Sequence, residues 1–141
     1  MTYKHVAMAA GLFGMALAVP ATAQEFANLS ANLFGNETSG GGPAKNAGAD
    51  FNGEADLSAN QLCYYFEAYG LSGITGASIN EGGKNGMAVV PLQVGKAGSD
   101  EVCTDVDAKV LAAMAKKPGR YTVVIYTTEF PDGALSAKLA D

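Results

Sequence analysis

Residues 61–71, QLCYYFEAYGL, alternate between two faces: Leu62, Tyr64, Phe66 and Ala68 on one, Cys63, Tyr65, Glu67 and Tyr69 on the other. Successive side chains of an extended strand point to opposite sides, so a period of two commits this segment to β structure. The same period recurs along much of the chain. Leu29, Ala31 and Leu33 share a face with Phe26 set apart, and Phe51, Gly53, Ala55 and Leu57 alternate with Asn52, Glu54 and Asp56. With ITGASIN, MAVVPLQV, RYTVVIYTTEF and GALSAKL, about seven short strands are predicted. Asn85-Gly86 reads as a hairpin turn, and Pro131, Asp132 and Gly133 as another. Pro91 has no amide to donate, which puts its strand at a sheet edge or at a bulge. The glycine-rich residues 35–48 read as a loop.

One segment breaks the pattern. In TDVDAKVLAAMAKKPG, Val106, Val110, Leu111 and Met114 recur at helical spacing, which predicts one short helix at about 105–117. Thr104 and Asp107 form the S/T-x-x-D/E box that ties a helix start, and Lys116 and Lys117 sit where the helix's negative end favours cations. Pro118 and Gly119 end it. Strands with apolar or aromatic groups on both faces, plus one inserted helix, predict an all-β sandwich with Greek-key connections.

The chain opens with features of an export signal. Lys4 and His5 precede an apolar run at 6–19, and Ala21 and Ala23 supply the A-x-A pattern before a cut between Ala23 and Gln24. That run is shorter than the roughly 20 residues a permanent membrane helix needs, so an uncleaved anchor is the weaker reading. No cysteine follows it to take a lipid. Residues 1–23 are therefore expected to be a signal peptide and 24–141 a single exported domain, periplasmic or secreted and not membrane-spanning after cleavage. The formal charge of −5 becomes more negative once Lys4 is lost, a poor match to nucleic acid or anionic lipid. Export puts Cys63 and Cys103 in an oxidising compartment, where the one available intramolecular pairing is expected to form.

His5 is the sole histidine and there is no tryptophan. Cleavage would remove that imidazole, and with it serine–histidine or cysteine–histidine catalysis and imidazole metal sites. Carboxylates, tyrosines and hydroxyls remain. Glu54 and Asp56, two apart on one strand face, have roughly the separation a glycoside hydrolase needs between its two acids. Most acids so placed on a solvent-facing strand have it too. Asp50, Asn52, Glu54 and Asp56 set oxygen ligands at alternate positions, as a weak calcium module would, but Ala55 and Gln61 stand where an EF-hand loop needs glycine and glutamate. Tyr64, Tyr65, Tyr69, Tyr121 and Tyr126 read either as packing with surface hydroxyls or as an aromatic binding face, packing being favoured. The sequons at Asn28 and Asn36 are expected to stay bare, because the short signal looks bacterial.

The order of LCYYFEAYGLSG, GMAVVPL and VCTDVDAKVLAAMAKKPGRYTVVIYTTEFPDGALSAKL resembles the CHRD (chordin-type) domain family, over roughly 31–139. Asn36 and Glu37 also match, without the family's neighbouring prolines. The resemblance implies an immunoglobulin-like or superoxide-dismutase-like sandwich and adds weight to the Cys63–Cys103 bridge. It also marks departures. Family histidines are replaced by Ser78, Asn80 and Tyr126, and a closing arginine-glycine-glutamine by Ser136, Ala137 and Lys138. Any metal those histidines hold in relatives has no imidazole here. The chain is therefore expected to bind no cofactor and to act as a non-enzymatic structural or protein-interaction module, its partner an extracytoplasmic protein or envelope component. A carboxylate-dependent hydrolase acting on an envelope polymer, or a weak calcium module, is the alternative.

Overall fold

A computed structural model describes residues 25–35 and 46–141. The signal-peptide reading of 1–23, the match at Asn36 and Glu37 and the Asn36 sequon lie outside the described residues. Among the described residues, eight strands form two antiparallel four-stranded sheets: β1 (Phe26–Phe34), β2 (Gly48–Asp56), β3 (Gln61–Tyr69), β4 (Ile74–Glu81), β5 (Met87–Leu92), β6 (Val102–Asp105), β7 (Tyr121–Thr127) and β8 (Leu135–Lys138). The first sheet runs β1-β2-β3-β6 and the second β5-β4-β7-β8. After β3 the chain crosses to build the β4–β5 hairpin, returns as β6 beside β3, then crosses again to β7 beside β4. Those crossings are Greek-key connections.

The alternation sets which face each strand buries. Leu29, Leu33, Phe51, Leu62 and Tyr64 from the first sheet meet Ile79, Val90, Val123, Ile125 and Leu135 from the second, all essentially inaccessible. Each large apolar side chain so placed contributes about 1.5–3 kcal/mol before entropy is subtracted. Tyr64 is buried with its hydroxyl satisfied, accepting from the Gln93 amide at 2.9 Å. Both open sides are stitched. Ser30 and Ala140 exchange two backbone bonds of 2.8 Å beyond β8, and Gly95 bonds Phe66 and Ala68 beyond β6. Sheet edges left bare invite pairing with other chains, and these bonds occupy part of them.

Pro91 does lie on an edge strand, β5, opposite Ser78. The helix, α1 (Ala108–Lys116), is shorter than expected. Its N-cap is Asp107, whose Oδ1 accepts from the amides of Lys109 and Val110. The Thr104–Asp107 box is not formed, because Thr104 belongs to β6, where it pairs with Leu62. The bare edge of β3 recruits residues 102–105 as an eighth strand, and the helix starts later for that reason. Leu111 and Met114 of α1 are buried in the common core. Pro118–Arg120 then forms one tight turn rather than a simple stop.

The closing hairpin folds back over the second sheet. Gly133 has φ +121°, and a Cβ there would meet Lys84 Cδ at 2.8 Å and Val124 Cγ1 at 3.1 Å, so only glycine fits. This loop and the β4–β5 turn cover the outer side of β4 and β7, where Ser78, Asn80, Thr122 and Val124 are buried although they point away from the core.

Candidate functional site

The acidic row of β2 stands on the outer face of the first sheet. Asp50, Asn52 and Glu54 are exposed and Asp56 is half-buried. Same-face neighbours on a strand lie about 6.6 Å apart, so Asp50 and Asp56 are separated by about 20 Å and the four cannot close round one ion. Asp56 is also engaged: its Oδ1 accepts from the Ser58 hydroxyl (2.6 Å), the Ser58 amide (2.9 Å) and the Ala59 amide (3.0 Å). Those bonds hold its carboxyl below the ordinary 3.8, the Ser58 hydroxyl contributing most. A general acid needs the opposite shift. Because the folded value is the lower one, Asp56 favours the folded state fully above the unfolded value, and that contribution disappears as pH falls through the folded value. Urea melts from pH 5 to pH 2 should therefore show a shallower acid loss in Asp56→Asn than in the parent. Identical slopes would refute the capping role.

Ser78, Asn80 and Tyr126, the three positions singled out by the resemblance, come together. Ser78 and Asn80 on β4 are 5% and 1% exposed, and Tyr126 on β7 reaches over them. The Ser78 hydroxyl donates to Asn80 Oδ1 at 2.6 Å, and Asn80 Nδ2 donates to the Tyr126 hydroxyl at 3.1 Å. Ser78 has no second hydrogen, so its 3.1 Å contact with the Tyr126 hydroxyl is a bond that Tyr126 donates. The three bonds make a closed ring. The second Nδ2 hydrogen goes to the Lys84 carbonyl at 2.9 Å, tying the β4–β5 turn to the sheet. A network whose members satisfy one another stabilises its surroundings. Asn80→Ala should cost about 3 kcal/mol, leaving Ser78, Tyr126 and the Lys84 carbonyl short of partners. Chemical denaturation measures it, and a loss under about 1 kcal/mol would contradict the ring.

Cys63 and Cys103 form the disulfide, directly opposite one another on β3 and β6 with Cα atoms 4.0 Å apart. Among the described residues, one group of three possible metal ligands converges, Cys63, Cys103 and Glu101 within 4.8 Å, and both sulfurs are committed to the bridge. The tyrosines divide. Tyr64 and Tyr121 are buried, whereas Tyr65 and Tyr69 are each 47% exposed on the outer face of the first sheet.

Sequence reasoning missed an open cleft of about 500 Å³ between Glu81, Gly82, Gly83, Gly119, Arg120 and Lys138. Its one carboxylate, Glu81, pairs with Arg120 at 3.7 Å, both ends solvated and so worth little. No paired acids face each other across it. The signal was hidden because the cleft is assembled from three remote segments. A family model described as the CHRD domain matches residues 29–139. No curated protein and no solved structure gives a match.

Proposed function

The chain belongs to the CHRD domain family, and from that membership we propose that residues 24–141 are an exported, non-enzymatic interaction module of the periplasm or cell envelope. The observation that carries this reading over hydrolysis is the setting of Glu54 and Asp56. They stand on a flat sheet face rather than across a cleft, and hydrogen bonds hold Asp56 ionised. Glycoside cleavage needs one carboxyl kept protonated near neutral pH. A disulfide of this kind persists in an oxidising compartment, which supports the extracytoplasmic assignment. No described helix is long and apolar enough to cross a membrane.

The purified 24–141 chain, crosslinked in native envelope extract, should capture one component saturably and leave envelope polysaccharide intact. Release of reducing sugars that disappears in Glu54→Gln would replace the module with the hydrolase. A melting temperature raised by millimolar calcium and lowered by chelator would instead favour the calcium reading.

A further inference from the structure

The outer face of the first sheet carries an ordered chemical pattern. The register places side chains in rows running across the strands: Ser30, Asn52 and Tyr65; then Asn32, Asp50 and Glu67; then Phe34, Gly48 and Tyr69. A row with one aromatic, Tyr65, and a row with two, Phe34 and Tyr69, therefore flank a row made of one amide and two carboxylates. Tyr65 and Tyr69, four residues apart on β3, are about 13 Å apart along the strand.

Gly48 explains how Tyr69 is held. A Cβ built at Gly48 would lie 2.3 Å from the Tyr69 hydroxyl oxygen and 2.5 Å from Cζ. The tyrosine ring thus lies down over the bare backbone of the neighbouring strand and keeps 47% of its surface in solvent. A glycine beneath a cross-strand aromatic gives the ring a fixed, flat seat. Glu67 is anchored too, its Oε1 accepting from the Gly98 amide at 2.7 Å.

The charge on this face is one-sided. β1, β2, β3 and β6 contain no lysine or arginine, while Asp50, Glu54, Glu67 and Asp105 all belong to them. Such a surface repels polyanions. It also lacks the continuous apolar centre of a stable protein–protein interface. Carboxylates accept from hydroxyl pairs, asparagine amides both donate and accept, and aromatic faces take the C–H side of a sugar ring.

We infer that this face, centred on Tyr65 and Tyr69 with Asn52, Asp50 and Glu67 between and beside them, binds a neutral, hydroxyl-rich glycan chain. The inference rests on the binding-module reading and names its ligand class. With no tryptophan in the chain, emission comes from tyrosine alone, and the part of the response lost in Tyr65→Ala and Tyr69→Ala is the platform's.

The test titrates the disulfide-intact 24–141 chain with dextran, laminarin, hydroxyethyl cellulose and chitin oligosaccharides, following tyrosine emission and affinity electrophoresis. Polygalacturonate and poly-lysine serve as charged controls. At least one neutral glycan should bind, with affinity unchanged by added salt. Tyr65→Ala and Tyr69→Ala should each weaken it at least tenfold at an unaltered melting temperature. Gly48→Val, which lifts the Tyr69 ring, should do the same, and Asn52→Ala covers the case in which Gly48→Val fails to fold. No response to any neutral glycan at millimolar concentration would overturn the inference. So would salt-sensitive binding of poly-lysine alone, or tyrosine variants that bind as the parent does. If glycans fail while envelope capture persists, the ligand class falls and the module reading stands; if both fail, the module reading falls with it.

Discussion

Replacing both bridge cysteines, as Cys63→Ala with Cys103→Ala, lowers the unfolding free energy by about 4 kcal/mol. The figure follows from the separation of 40 residues between them, since an open chain recovers the loop-closure entropy that the bridge withholds from the unfolded state. For a domain of this size the melting temperature should fall by about 12–20 °C. A local effect accompanies the global one. β6 is four residues long and pairs with β3 alone, so the bridge fixes a strand that has few other bonds. Amide exchange in Val102–Asp105 should accelerate more than in β2 or β7. A double variant within about 1 kcal/mol of the parent in urea melts would show that β6 holds without the bridge.

Phe51→Ala should cost about 4 kcal/mol, enough by itself to leave a marginal domain partly unfolded. Phe51 is fully buried on β2, the strand between β1 and β3. Its ring meets Tyr64 at a centroid distance of 5.5 Å and Phe66 at 5.5 Å edge-on. Aromatic pairs of this kind add about 0.5–1.5 kcal/mol beyond the area they bury. Gly53, next on the same face, clears space for the ring, since a Cβ there would lie 3.2 Å from Phe51 Cζ. Phe51→Leu keeps most of the volume and should cost about 1.5 kcal/mol or less. Equal losses for Ala and Leu in chemical denaturation would mean that the ring contacts, not the filled volume, dominate.

Strand existence was legible in this chain because burial on one face writes itself into a period of two. Leu29, Ala31 and Leu33, or Leu62, Tyr64 and Phe66, needed no neighbour to be assigned a face. The bridge was legible from cysteine number, and the missing amide of Pro91 narrowed β5 to an edge or a bulge, of which the structure shows the edge. β6 was not. Its four residues run straight into a helical start signal that competed for Thr104, whereas the equally short β8 sits in a longer alternating segment, GALSAKL. The candidate site was legible only as an inventory. Asp50, Asn52, Glu54 and Asp56 were seen as a row of oxygens, yet their spread along β2 follows from extended geometry. Tyr65 and Tyr69 were visible as aromatics, with nothing to say that Gly48 of the adjacent strand would seat one of them.

Alternation, charge and thiol number can be read without knowing which strands meet, and they made this chain β-rich and acidic and left its two thiols one possible intramolecular pairing. Which strands lie side by side was decided only when the two sheets packed. That step set Gly76 against Tyr126 and Ser78 against Val124, so that a serine, an asparagine and a tyrosine more than forty residues away satisfy one another. Register is a property of pairs of strands, and a hydrogen bond needs both of its partners in place before either has a reason to be there.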